Sequence, residues 1–402
     1  MNGKGKGSKR KQEDTDEEED ADEEEDEKED DDSKEEDKPN IWSDWLKYVN
    51  SNANAFHPYR SGKGVSPRPY LDRDLYNKHM EAHSTKNYHV PESHHEFIDT
   101  FVDSSDLREA KKVIRTLSSL LNIDDNDTQA AEELEFLESL LIAVHSTYSL
   151  HCNYRASEDS FSEALVKSFL EVISKSIRTN DCKADFVKGQ PILESMTKQL
   201  KTLGHFVDDK SQYKSDGLVK LFGLKEIELL LVEVSGCFNN KDKVKLNFDH
   251  HKGMFGALAM IKSIADQYEY ASVDQFEKVK VFFLNAAGRH LNLWSLSYKK
   301  NDLFDLWKES SLLLRPDFDD KQDFVPDLVQ FCWSSKIIIE KSVESIVALK
   351  QDHSQNKAKC RYSSAAPALL SDIVNPIILK LTKEEDGSGI IKLGPLYSPP
   401  HP

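Results

Sequence analysis

Between Ser215 and Tyr268 the apolar positions change period, and the change predicts strand, strand, helix. Gly217 to Phe222 and Glu226 to Val234 are β-branched and aliphatic runs of strand length with Gly223 at the turn between them, a hairpin signature. In the second run Ile227, Leu229 and Leu231 point to one face and Leu230, Val232 and Val234 to the other. Both faces therefore want cover, as in a central strand. Glu233 falls on the face of Ile227, Leu229 and Leu231. Burying a lone carboxylate there is costly, so it needs a partner, and a metal ion is one candidate. After a polar loop, Met254, Leu258, Ile261, Ala265 and Tyr268 recur at helical spacing, while Gly253, Gly256 and Ala257 permit close approach to a sheet.

The same reading extends outward in both directions. Ile41 to Val49 is a short amphipathic segment expected to dock on the body, and Asn50 to Tyr70, rich in Asn, Ser, Gly and Pro, reads as a loop. Ser104 to Leu121, Thr128 to Leu150 and Glu158 to Ile177 each carry a helical apolar stripe, the first capped at Ser105, and Gln190 to Leu203 is a weaker helix. Val279 to Leu284 and His290 to Tyr298 are strands, Phe304 to Leu314 adds an edge strand or two, and Pro326 to Lys350 is a long helix. The expected fold class is α/β, a mixed central sheet of about four or five strands flanked by helices. The divisions are an arm over 1–40, a docking segment and helical part over 41–150, the α/β core over 151–352 and a tail over 353–402.

Charge changes this picture only at the front of the chain. Residues 1–40 hold 20 Asp and Glu against 8 Lys and Arg, so 12 of the net 18 negative charges sit in a segment that repels itself and is expected to be disordered. The remainder is nearly balanced and leaves nucleic acid open as a partner. Lys9-Arg10-Lys11 is a candidate nuclear import signal. Five widely spaced cysteines without a CxxC pair fit reduced thiols in an intracellular compartment and argue against a cysteine-ligated zinc. Without a run of about 18 apolar residues, no membrane partner is expected.

His79, His83, His89, His94 and His95 cluster, but only His79 and His83 have a helical spacing that lets them share a metal, and no carboxylate or Cys completes a recognised pattern. They read as surface and capping histidines. Asp249-His250-His251 invites comparison with DHH phosphoesterases, yet the further Asp clusters those enzymes need are not evident. Asp249 is instead expected to cap the long helix, with one of the two histidines facing solvent. Nucleotide-cradle, hydrolase-elbow and zincin motifs are missing.

ELLLVEVSG at 228–236, DHHKGMFGALAMIKSIAD at 249–266 and VFFLNAAGRHLNLWSLSY at 281–298, with SEDSF at 157–161 and KSDG at 214–217, resemble an expanded fungal family of uncharacterised proteins over roughly residues 150–355. The order of helix with Glu, strand with Asp, strand with ExK, helix and further strands also resembles the PD-(D/E)XK nuclease superfamily, which implies a restriction-endonuclease-like core. By that resemblance Glu158 or Glu163, Asp216 and Glu233 would be oxygen ligands of Mg²⁺ and attack on a phosphodiester would follow, or the chain would be a catalytically decayed relative that still grips nucleic acid. The superfamily's lysine, two residues after the glutamate, is replaced by Ser235, so Lys252, or Lys243 or Lys245, would have to reach the site. Read from the residues alone, Glu233 pairs with Lys252 and holds the hairpin against the helix without chemistry, which makes the chain an interaction protein using its acidic arm and helical part.

Overall fold

A computed structural model describes residues 41–51, 61–63, 72–83, 88–120, 128–150, 153–179, 182–204, 212–301, 303–362, 367–379 and 381. The expected arm over 1–40 and the import signal lie outside these residues, as does most of the expected loop after Asn50. In chain order the elements are α1 (Ile41–Ser51), β1 (Ser61–Gly62), α2 (Arg73–His83), α3 (His95–Val102), α4 (Leu107–Leu120), α5 (Thr128–Ser149), α6 (Glu158–Ser162), α7 (Ser168–Ser176), β2 (Ala184–Val187), α8 (Glu194–Thr202), β3 (Gly217–Leu221), β4 (Ile227–Ser235), α9 (Lys243–Gln267), α10 (Val273–Phe276), β5 (Val281–Ala287), β6 (His290–Tyr298), β7 (Phe304–Leu313), α11 (Lys321–Cys360) and α12 (Leu370–Ile373).

The sheet has the order β1-β7-β6-β5-β4-β3-β2. β2, β3 and β4 form an antiparallel meander, and β4 and β5 are parallel and joined by the α9 crossover. β6 and β7 continue antiparallel, and β1 adds two residues parallel to β7. The mixed α/β class is as expected, with more strands than expected because β1 and the four-residue β2 carry too little pattern to read. The β3–β4 hairpin forms, but its left-handed turn residues are Lys225 (φ 57°) and Glu226 (φ 58°) rather than Gly223. Pairing along β4 passes from Leu230 directly to Glu228 and skips Leu229, so the strict alternation that put Ile227 on the face of Glu233 does not run through.

Helix α9 lies close on one face of the sheet. A Cβ on Gly253 would collide with the Phe283 ring, and one on Gly256 would come within 2.7 Å of Leu231 Cδ2, so both glycines are required for contact. On β7, Lys308 lies over the Trp294 ring, which meets His250 of α9, whereas Trp307 lines a groove with Gln330, Ser334 and Ile338 of α11. α9 and α11 therefore cover opposite faces. One continuous core runs from Val90 to Ile378, and a small separate cluster joins Trp45, Leu75 and Tyr76 of α1 and α2. No helix among the described residues is long and apolar enough to cross a membrane.

Candidate active site

The carboxyl-terminal end of β4 gathers charge from four elements. Glu233 is buried at 1% exposure, and its Oε2 accepts from Lys252 Nζ of α9 at 2.7 Å. Its Oε1 is 3.0 Å from the Tyr213 hydroxyl, which also lies 2.8 Å from the Lys252 carbonyl. Asp216 immediately precedes β3, whose Gly217 pairs with Val232. Its Oδ2 accepts from the Val234 amide at 2.6 Å, taking a ladder position at the hairpin's open end. Glu158, first residue of α6, accepts the Gly236 amide at 2.9 Å. Gly236 has φ +82°, a conformation costly for any side chain, and that turn aims its N–H at Glu158. Lys245 Nζ bridges Glu158 and Asp249, 3.2 Å from each.

Glu158, Asp216, Glu233 and Asp249 together oppose two ammonium groups, Lys245 and Lys252, leaving a formal excess of two negative charges. Burial governs how these groups hold their protons. Desolvation raises the Glu233 carboxyl to about 8, with nearby Asp216 and Asp249 adding to the rise and Lys252 opposing it. Asp216 and Asp249 are raised for the same first reason. Desolvation lowers Lys252, but Glu233, Asp216 and Asp249 together outweigh it, so its ammonium is held firmly.

Of the expected site residues, Glu158, Asp216, Glu233 and Lys252 are drawn to this end of β4, but among the described residues no three of the carboxylates bring donor atoms within 4.8 Å of one another. Glu163 is not: it starts a π-helical turn, Glu163–Lys167, where its exposed carboxylate pairs with the buried Lys167. Of the two alternative lysines, Lys245 is engaged by Glu158 and Asp249, and Lys243 is exposed. Ser235, at the position of the absent lysine, is fully buried and accepts from the Asn285 amide at 3.3 Å.

Two expectations for the long helix are corrected. α9 begins at Lys243 and is capped by Asp242, whose side chain accepts from the amides of Val244 and Lys245. Asp249 sits inside the helix, and both His250 and His251 are buried, packed on aromatic rings or bonded to the Asn247 carbonyl. At the start of α4 the capping oxygen is that of Asp106, which accepts from the Glu109 amide, while Glu109 reaches back to Ser105.

The donor set suits a hard cation, since Mg²⁺ is held by one or two carboxylates and keeps several waters. Among the described residues no donor reaches Asp216 Oδ1, and once Glu233 has lost its proton the formal excess of two negative charges would match one divalent ion. In this structure Lys252 and Tyr213 occupy both Glu233 oxygens.

Sequence reasoning missed Tyr213 and Asp249 as members of the cluster, because neither lies at a recognisable spacing from Glu233. It also missed Glu228, buried at the other end of β4, which accepts the amides of Glu194 and Ser195 and so caps α8. Comparison with protein families, with curated proteins and with solved structures finds no match to this chain.

Proposed function

We propose that this chain is a nuclease-like protein that hydrolyses phosphodiesters with Mg²⁺ held by Asp216 and Glu233. The observation that carries the reading is the convergence of four carboxyl groups, Glu158, Asp216, Glu233 and Asp249, on only two ammonium groups at the β3–β4 end. Helix, Asp strand, Glu strand and crossover helix succeed one another in the order that the PD-(D/E)XK resemblance implies. Bound there, Mg²⁺ would lower the pKa of an attacking water and neutralise phosphate charge. Glu158 orients the Gly236 turn beside the site, and Lys245 bridges Glu158 and Asp249. Lys252 supplies from α9 the ammonium that the strand position of Ser235 lacks. Nucleic acid is the substrate class, and the Lys9-Arg10-Lys11 cluster is in keeping with a nuclear location.

A second reading is favoured by one specific observation: with both Glu233 oxygens engaged, the cluster is a satisfied ion-pair lock between hairpin and α9, as an interaction protein would need. Incubation with single- and double-stranded DNA and RNA in Mg²⁺ or Mn²⁺ separates the two. The enzyme reading expects metal-dependent cleavage that drops by on the order of 100-fold or more in Asp216→Asn and in Glu233→Gln. Cleavage indifferent to both changes belongs to a contaminant. Intact substrates throughout, with folded wild-type protein, leave the lock.

A further inference from the structure

On the opposite face of the sheet, α2 places His79 and His83 one turn apart, so both rings lean to the same side. Both reach Asp305 of β7, with His79 Nε2 3.1 Å from Oδ1 and His83 Nε2 2.8 Å from Oδ2. One donor atom from each of the three lies within 4.8 Å of the others, and among the described residues no other group of three His, Cys, Asp or Glu side chains meets that spacing. His79 and Asp305 are each 4% exposed.

The surroundings fix the rings. His83 stacks on Trp307 with centroids 3.9 Å apart and planes 11° from parallel. Trp42 and Trp45 meet His79 edge-on at 5.3 and 5.4 Å. Buried Nδ1 of His79 has no hydrogen-bond partner. With a metal on Nε2 that nitrogen carries the ring proton beside the two indoles, at the cost of one unmade hydrogen bond. His83 and Trp307 line a cavity of about 740 Å³ between β7 and α11, which gives an ion a way in and a solvent molecule a way to complete its coordination.

We propose that His79, His83 and Asp305 bind one first-row divalent transition-metal ion of the Zn²⁺ class, fastening the α1–α2 cluster to β7. Two imidazole nitrogens and one carboxylate oxygen are the donors such an ion prefers, and they are poor company for Mg²⁺. The position of the trio gives the ion a purpose. The cluster of Trp45, Leu75 and Tyr76 is separate from the main core, and the trio is a buried polar joint between it and the sheet, beside the contact of Lys300 with Ser43.

The test uses the untagged full chain, stripped with a chelator and titrated with Co²⁺ under visible absorption, then with Zn²⁺ against a chromophoric chelator. About one equivalent is expected, held at about 1 μM or tighter. His79→Gln and His83→Gln, which keep an amide donor for Asp305, should each weaken it by roughly 100-fold or more, whereas Glu233→Gln should leave it unchanged. No stoichiometric uptake by the wild type overturns the site, and so does uptake unaltered in both glutamine variants. A measurement on the wild type alone guards against a variant that fails to fold: acylation by diethyl pyrocarbonate, mapped by mass spectrometry. Zn²⁺ should protect His83 and leave the exposed His89 and His95 reactive, and equal labelling of His83 with and without Zn²⁺ overturns the proposal.

Discussion

Glu233 and Glu228 stand five residues apart on one strand, both buried, and their fates differ because of what surrounds each carboxylate. Glu228 receives two backbone amides and the Ser195 hydroxyl, with Lys220 3.6 Å away. Glu233 receives one ammonium and a tyrosine hydroxyl, and its burial, with Asp216 and Asp249 near, holds its proton up to about 8. A carboxyl whose folded pKa is raised stabilises the fold in its protonated form. The contribution is complete below the ordinary carboxylate range and is lost as pH climbs toward about 8. Asp216 and Asp249, also raised, act in the same direction. Urea unfolding from pH 5 to 9 should therefore give stability that falls with pH, and Glu233→Gln should flatten the decline. A slope unchanged in that variant contradicts the assignment. Lys252→Met should cost about 3 kcal/mol near pH 9, where Glu233 is left either charged without its partner or forced to take up a proton, and clearly less near pH 6. The need of Glu233 for a partner is readable from its place on an apolar strand face. The role of Glu228 is not, because the amides it caps lie 33 and 34 residues away.

At the scale of elements, α9 decides whether the cluster assembles, since it delivers Lys245, Asp249 and Lys252 together. Its close seat on the sheet depends on Gly253 facing Phe283. Alanine ordinarily favours a helix over glycine by roughly 1 kcal/mol, yet here the added methyl meets a buried ring, and overpacking of about 1–3 kcal/mol wins. Thermal melts should place Gly253→Ala below the wild type, and Phe283→Leu in the same chain should recover part of the loss. A Gly253→Ala melt at or above the wild type contradicts that packing. The small residues of this helix advertise the close approach in the sequence, but its first turn does not. Lys243 to Phe248 alternates charge and bulk without a clean stripe, and Val244 is 60% exposed, so the true cap, Asp242, is overshadowed by the more conspicuous Asp249. The expected end of α11 at Lys350 falls short of Cys360 for a similar reason, since its last ten residues are mostly polar and leave no apolar period to trace.

Across the whole molecule, the sheet separates two chemistries: oxygen donors and lysines beneath α9, and imidazoles with a carboxylate on the side of α11. The first was partly legible because Asp216 and Glu233 flank one hairpin, so local register alone brings them together. The second was half legible. The helical pair His79 and His83 stands out, but Asp305 lies 222 residues beyond His83, and only the order of strands brings β7 beneath α2. The acidic arm over 1–40 is a sequence expectation that lies outside the described residues. Calorimetric titration of the full chain with Mg²⁺ at pH 6 and pH 9 tests the central claim most directly. About one ion should bind, more tightly at pH 9 because Glu233 must first lose its proton, and binding should vanish in Asp216→Asn and Glu233→Gln while persisting in His83→Gln. Heat signals absent at both pH values, or identical in wild type and the two carboxylate variants, contradict the account.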